Sequence, residues 1–433
     1  MLALWYWLYN SIVIPALWTF LQLASFFHRK IRKGIVGRRG LFERLDADLR
    51  ELRASRRIWI HASSMGEFEQ AKPIIAALRR DFTDLDIIAS FFSPSGYEHS
   101  RSYHLADVIT YIPFDRPKNA RRFIDLVKPD VAVLVRYDVW PNHIRELKRR
   151  NIPTIIANAT LQKSSARLVW PFRSFHFHVY ENLSAILTVS VKDAAAFRYM
   201  GLKTPTIDVV GETRYDQVHM GSIEARKKHI IPQEILRRRK VFVVGSSWPE
   251  DEEIVIPAFR KIARHDSSAL MILVPHEPTI PTLERLELEL EFQKLRVIRF
   301  SNLGDYSAEN VILVDSIGIL MTLYQYADFA FVGGSFKQGI HNVLEPAVYG
   351  IPVVFGPKHE NSREAVELAK RGGAFVVTSQ EDCYPQLRKL FNDKHVRTTA
   401  GKAALSFVQD NVGATQKFVD YLTDILRKRK SGS

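Results

Sequence analysis

Short apolar runs alternate with longer amphipathic stretches over two long parts of the chain. In the first part the runs fall at 58–61, 86–92, 108–113, 131–136, 154–158, 185–190 and 207–210. They are rich in Val, Ile and Phe and lack strict polar alternation, so they predict strands covered on both faces, in a mainly parallel sheet. Helical patterns intervene, as at 118–127 and 143–150. A second series places strands at 241–245, 270–275, 297–300, 311–314, 329–332, 353–355 and 375–377, and helical patterns at 403–412 and 415–427 close the chain. Between the two series, 214–240 is polar, basic and without strand runs, which reads as a linker. The expected fold class is α/β. A first Rossmann-like domain spans 28–213, and a second spans 241–433 with the C-terminal helices, the pair leaving a cleft of the kind that favours ligand sites.

Residues 1–27 break this pattern, since they hold no charged side chain. That exceeds the roughly 20 helical residues needed to cross a hydrocarbon core. Trp5, Tyr6, Trp7 and Tyr9 cluster at one end, where amphipathic rings favour the headgroup level. Arg29, Lys30, Arg32 and Lys33 follow at once, then Arg38 and Arg39. A cleaved signal peptide carries its charge before the apolar run, so 1–27 reads as a retained membrane anchor with the domains on the cytoplasmic side. Pro15, Asn10 and Gln22 leave open a helix lying in the interface.

The chain has 433 residues, 46% of them hydrophobic and 25% charged, ample for two large cores. The formal charge of +14 calls for an anionic partner: nucleic acid, anionic membrane or phosphorylated substrate. A single cysteine, Cys383, excludes an internal disulfide and a Cys-rich zinc site. His176 and His178 lie two apart with no cysteine near, which suits no zinc pattern, and no P-loop or dinucleotide fingerprint is present. No metal or cofactor is expected.

Three segments carry candidate chemistry. In IWIHASSMGEFEQAKP (58–73) a strand ends in small polar residues and a helix opens with Glu67 in its first turn. Strand ends face the pockets of α/β sheets, so this carboxylate is placed to take a proton from a hydroxyl. Ser64-x-x-Glu67 is equally a capping box, which needs no substrate. Phe331–Phe336 runs a strand into the Gly333–Gly334 turn, followed by His341-Asn342-Val343-Leu344-Glu345-Pro346 as a helix start. Glycines admit a ligand to the backbone, and helix-end amides attract phosphate. At the end of another strand, Ser246 and Ser247 offer hydroxyl donors before an acidic helix start.

In this order the segments HASSMGEFEQAKP (61–73), FFSPSGYE (91–98), DVWPN (138–142), IPTIIANA (152–159), FVGGSF (331–336) and HNVLEP (341–346) resemble the lipid A Kdo transferases. These are membrane-associated GT-B glycosyltransferases that move 3-deoxy-D-manno-octulosonic acid (Kdo) from CMP-Kdo to a lipid A precursor in lipopolysaccharide biosynthesis, at the inner membrane. The resemblance runs from the anchor to about Val412. It implies that Glu67 is the general base of an inverting, metal-independent transfer. It also implies that Pro275, His276, Ile317, Gly318, Ile319, Asn342, Val343, Leu344 and Glu345 belong to the CMP-Kdo site, with the basic collar at the lipid acceptor and membrane and no nucleic acid as partner. Arg136, counted with the catalytic residues, replaces the first of two acidic residues that many members carry before Trp-Pro, so that acid's transition-state role does not carry over to it. Arg214 stands for a lysine, His276 for an arginine and Trp248 for a histidine. A GT-B transferase using a UDP-sugar on another lipid or wall precursor, and a non-catalytic lipid binder, are the alternatives.

Overall fold

A computed structural model describes residues 2–430. It divides into two compact units, one of residues up to Gln217 together with those from Val412 onward, the other of Val218–Asn411.

The first unit holds seven parallel strands: β1 (Arg57–Ala62), β2 (Asp86–Phe91), β3 (Val108–Tyr111), β4 (Val131–Val135), β5 (Thr154–Ala159), β6 (Ala185–Thr188) and β7 (Thr206–Val209). Their order is β3-β2-β1-β4-β5-β6-β7, so the winding reverses between β1 and β4, where Ile60 lies beside Val133. On one face, Ile58, Ile60, Ile87 and Val133 pack under the helix Met65–Asp81 through Phe68, Ile74 and Leu78. On the other, Trp59, Ile88 and Ala132 meet Phe123, Ile124 and Leu147.

The second unit repeats the plan with β8 (Lys240–Ser247), β9 (Ala269–Pro275), β10 (Val297–Arg299), β11 (Val311–Leu313), β12 (Phe329–Val332), β13 (Val353–Phe355) and β14 (Ala374–Val376). The order is β10-β11-β9-β8-β12-β13-β14, all parallel, and the winding reverses between β8 and β12. Every expected strand is present, and the α/β class with it.

Two boundaries differ from the sequence reading. The stretch expected as a linker contains the helix Thr213–Arg226, and the division falls inside it. The last helix, Ala414–Lys430, groups with the first unit rather than the second, because Phe418, Val419, Leu422 and Leu426 pack on the first sheet. Burying four such side chains contributes roughly 6–12 kcal/mol as an upper estimate. Asp216 holds the helix start, its carboxylate accepting from Gly413 N (2.6 Å), Thr415 N (2.8 Å) and Thr415 Oγ1 (2.8 Å). Periodicity alone does not reveal which sheet a terminal amphipathic helix covers.

Leu4–Phe27 is long and apolar enough to cross a membrane by length and composition. A π-helical turn, Tyr9–Val13, interrupts it. Its outer face carries exposed Leu4, Trp7, Ile12, Phe20, Leu23 and Phe26. The aromatic cluster is divided: Trp7 is exposed, whereas Tyr6 and Tyr9 are buried against the first unit. Tyr9 donates to buried Asp115 (2.9 Å), Trp5 to Ser174 (3.0 Å), and Asn10 and Asn142 bond each other through both amides. In the collar, Arg29, Lys30, Arg32, Lys33 and Arg39 are exposed, with Lys33 bridging to Glu98. Arg38 departs from it. Its guanidinium donates to the carbonyls of Ile112, Gly34 and Phe92 and sits against the rings of Phe92, Tyr111 and Phe114, so its role is structural. Burial lowers its pKa to about 10.

Candidate functional site

Where winding reverses in a parallel sheet, the connections after the two central strands diverge and leave their carboxyl ends uncovered. The candidate residues of each unit collect at such a point.

In the first unit β1 leads through Ser63 and Ser64 into the helix that carries Glu67. The capping box is formed: Glu67 Oε2 accepts from Ser64 N (2.9 Å) and Ser64 Oγ (3.2 Å). Glu67 is 7% exposed. Burial first, and then the negative charge of Asp138, push its carboxyl above the ordinary glutamate range, against the bonds from Ser64 and the attraction of His61. Asp138 arrives from the loop after β4, across the reversal. Burial works against its ionisation, yet bonds from His61, Ser63 and Trp140 hold it below the usual range. His61 Nε2 lies 2.8 Å from Asp138 Oδ2, and His61 Nδ1 lies 2.8 Å from Ser90 Oγ at the neighbouring strand β2. Trp140 Nε1 donates to Asp138 at 3.2 Å. Sequence alone assigns no role to His61, Ser90 or Trp140. The available signal was a histidine at the carboxyl end of a central strand, whose partners only strand order could supply.

Arg136 follows β4 in a left-handed conformation (φ 65°), with its Nε buried and unpartnered among the described residues. Arg214 lies in the first turn of Thr213–Arg226 and pairs with Glu212. The Thr213 hydroxyl donates to Gln70 O (2.6 Å), which fastens the start of that helix to the helix of Glu67.

In the second unit a cavity of about 320 Å³ opens beside β8 and β12, lined by Ser246, Gly318, Tyr324, His341, Asn342 and Glu345 among others. Four of these were expected from sequence: Ser246, Gly318, Asn342 and Glu345. Tyr324 and His341 were not. Ser246 is left-handed (φ 53°), while Ser247 is buried and its hydroxyl donates to Glu252 (2.8 Å). Ser247 is thereby engaged inside the protein. The glycine turn does not present free amides: Gly333 N donates to Gly245 O (2.9 Å) and Gly334 N to Asp251 (2.7 Å). Glycine is required at 333 because a Cβ there would stand 2.2 Å from Ser246 O. Asp251 also accepts from Trp248 N (3.0 Å), and burial raises its pKa to about 6.

The expected helix start is shorter than its pattern implied. Leu344–Ala347 is a single turn, and Val343 and Leu344 are each 1% exposed, so their side chains belong to the core. Asn342 accepts from Leu344 N (3.1 Å) and donates to Glu345 (3.2 Å), which orients the two polar side chains that line the cavity. Pro275 ends β9, and the rings of Trp248, His276 and His341 stack in sequence, neighbours 4.6 Å apart. His341 Nε2 accepts from Trp248 Nε1 (2.9 Å), so its own proton is on Nδ1. Burial, and then proximity to His276, lower its pKa to about 4. Ile317 is 86% exposed beside Gly318. Among the described residues no group of three or more metal-ligating side chains assembles.

The chain is similar to known proteins across nearly its whole length. Residues 37–217 match the family described as 3-deoxy-D-manno-octulosonic-acid transferase (kdotransferase). The 3-deoxy-D-manno-octulosonic acid transferase of Haemophilus influenzae is 29% identical over 98% of this chain and 100% of its own. That of Aquifex aeolicus is 29% identical over 78% of this chain and 86% of its own. In fold, the UDP-GlcNAc 2-epimerase of Neisseria meningitidis is similar, with a TM-score of 0.60 at 13% identity over 85% of this chain and all of that one. The paired doubly wound sheets are the GT-B fold, and the chain is a glycosyltransferase similar over nearly its whole length to the 3-deoxy-D-manno-octulosonic acid transferases.

Proposed function

We infer that the protein transfers Kdo from CMP-Kdo to a lipid A precursor, with inversion at the anomeric carbon and Glu67 as general base. The observation that carries this reading is the environment of Glu67: a buried carboxylate at the winding reversal, its affinity for a proton raised by burial and by Asp138. A base is most effective when its pKa approaches the working pH, because it then accepts a proton readily while still largely ionised. Both hydrogen bonds from Ser64 go to Oε2, so the cap holds the carboxylate in place while Oε1 serves for proton transfer.

In the proposed step Glu67 takes the proton of the acceptor hydroxyl as that oxygen bonds the anomeric carbon of Kdo. The bond from that carbon to the phosphate oxygen breaks, and CMP leaves with the electron pair. Glu67 then gives its proton to solvent. The donor belongs to the second unit, at the cavity of Ser246, Gly318, Asn342 and Glu345, where Glu345 is suited to the ribose hydroxyls. On this reading His276 belongs to the donor site and Arg214 meets the charge that develops on leaving CMP. The exposed cations Arg29, Lys30, Arg32, Lys33 and Arg39 suit a bisphosphorylated acceptor at an anionic cytoplasmic surface, at about 1 kcal/mol each.

The test is incubation of the full chain with CMP-Kdo and lipid A precursor, followed by mass spectrometry of the glycolipid. The expected product carries added Kdo with CMP released in equal amount. An unchanged glycolipid under conditions where CMP-Kdo binds would overturn the reading.

A further inference from the structure

An apolar groove of about 280 Å³ in the first unit has no part in the chemistry above. Leu21 of the apolar N-terminal helix forms one wall, and Ile31 and Ile35 of the following helix, Arg29–Gly37, form another. Phe92, Ser93 and Pro94, just past the end of β2, close the third. Gly34 lets the helix approach this loop, since a Cβ there would stand 3.1 Å from Pro94 Cγ. The walls are mostly aliphatic and aromatic, and the guanidinium of Arg38 that borders them already donates to three carbonyls, so a polar group inside would lose its water for few partners.

Three observations identify the occupant. The groove begins at Leu21, next to the exposed apolar face formed by Phe20 and Leu23. Exposed Lys30 stands at its edge, beside Arg29, Arg32 and Lys33, which favours an occupant with negative charge at one end. The far wall packs against the turn that positions Glu67. Ser93 N donates to Ser63 O (2.8 Å), and Gly96 packs so closely on Ser64 that an added Cβ would lie 3.1 Å from its carbonyl carbon. A molecule with a hydrocarbon tail, an anionic head and a hydroxyl near Glu67 satisfies all three.

We propose that this groove receives one acyl chain of the glycolipid acceptor, drawn from the bilayer alongside the N-terminal helix. The proposal rests on the acceptor reading above and extends it: lodging the chain here sets the depth at which the sugar reaches Glu67. The basic collar then holds the phosphates and the groove holds the tail, so the headgroup is fixed at two ends.

The experiment uses the full chain in detergent micelles with a bisphosphorylated, tetra-acylated glucosamine disaccharide carrying a diazirine in one acyl chain. After irradiation, cross-linked peptides are mapped by mass spectrometry, and transfer from CMP-Kdo is measured on the same acceptor with and without its ester-linked chains. Labelling is expected within 30–38 and 92–94. Ile35→Trp, which fills the groove, should reduce it and raise KM for the tetra-acylated acceptor by at least about tenfold, as loss of an apolar subsite does. KM for CMP-Kdo should stay the same. Leu21→Trp fills the groove from the opposite wall and serves if Ile35→Trp unfolds, as judged by circular dichroism. Labelling confined to the outer face of Leu4–Phe27, or undiminished in a folded filled variant, overturns the groove even if transfer proceeds. Labelling in the groove without any transfer by the wild-type chain overturns the reaction and leaves the groove standing.

Discussion

Glu67→Gln separates the two roles that a first-turn glutamate can have. The substituted amide keeps a carbonyl oxygen that can accept from Ser64 N, now at 2.9 Å from the carboxylate, so the helix cap survives. Loss of even the whole cap costs only about 1 kcal/mol, which sets the ceiling on any structural effect. Loss of a general base costs about 10²- to 10⁴-fold in rate. At 1.36 kcal/mol for each factor of ten, that is roughly 3–5 kcal/mol on the barrier. The two readings therefore part in turnover: a cap alone leaves the rate near wild type, whereas a base raises the barrier by roughly 3–5 kcal/mol when removed. The pH dependence adds a second constraint. Because the carboxyl is raised in the folded state, the folded chain binds this proton more readily than the unfolded one. The resulting stability is present at low pH and is lost as pH rises through the raised value. At pH 8 Glu67→Gln should thus be no less stable than wild type, and the gap should narrow on acidification. Wild-type turnover should fall on the acid side as Glu67 takes up its proton. Asp138→Asn, which removes the neighbouring negative charge, should move that fall to lower pH. The assay is single-turnover Kdo transfer from pH 5 to 9, with melting curves recorded in the same buffers. Turnover of Glu67→Gln close to wild type, with melting unchanged, would refute base catalysis by this residue.

Three further outcomes test the framework around the site. Asp251 is raised from 3.8 to about 6 inside the second unit, a penalty of roughly 3 kcal/mol on its ionised form. Its contribution to stability is full below about pH 4 and gone above about pH 6, so Asp251→Asn should flatten the melting temperature of that unit across this window. Asp115→Ala strands four donors (Tyr9 Oη, Asn142 N, His143 N and His143 Nδ1) and should cost on the order of 4 kcal/mol, read by chemical denaturation and by faster proteolysis near the N-terminal helix. Ending the chain at Asn411 should lower the melting temperature of the first unit and leave that of the second nearly unchanged, because the missing helix packs in the first unit's core.

All fourteen strands, the apolar N-terminal helix and the position of Glu67 at a strand end were legible in the sequence. Each depends on local periodicity, or on a run of residues whose burial is dictated by their own chemistry. Ile58–Ile60 has no stable place outside a core, and Ser64-x-x-Glu67 closes on itself within one helical turn. What tertiary structure alone decided are the relations between segments distant in the chain. Pairing of β1 with β4 and β2 brings Asp138 and Ser90 to His61, which sets the charge around Glu67. Packing turned Ser247 inward and left Ser246 lining the cavity, and it drew the Arg38 guanidinium onto three backbone carbonyls while its basic neighbours stayed in solvent. The last helix went to the first sheet by the same kind of selection. A side chain's type limits which contacts stabilise it, but which of those contacts it makes is settled only when the whole sheet has ordered its strands, since the competing partners differ by little energy locally.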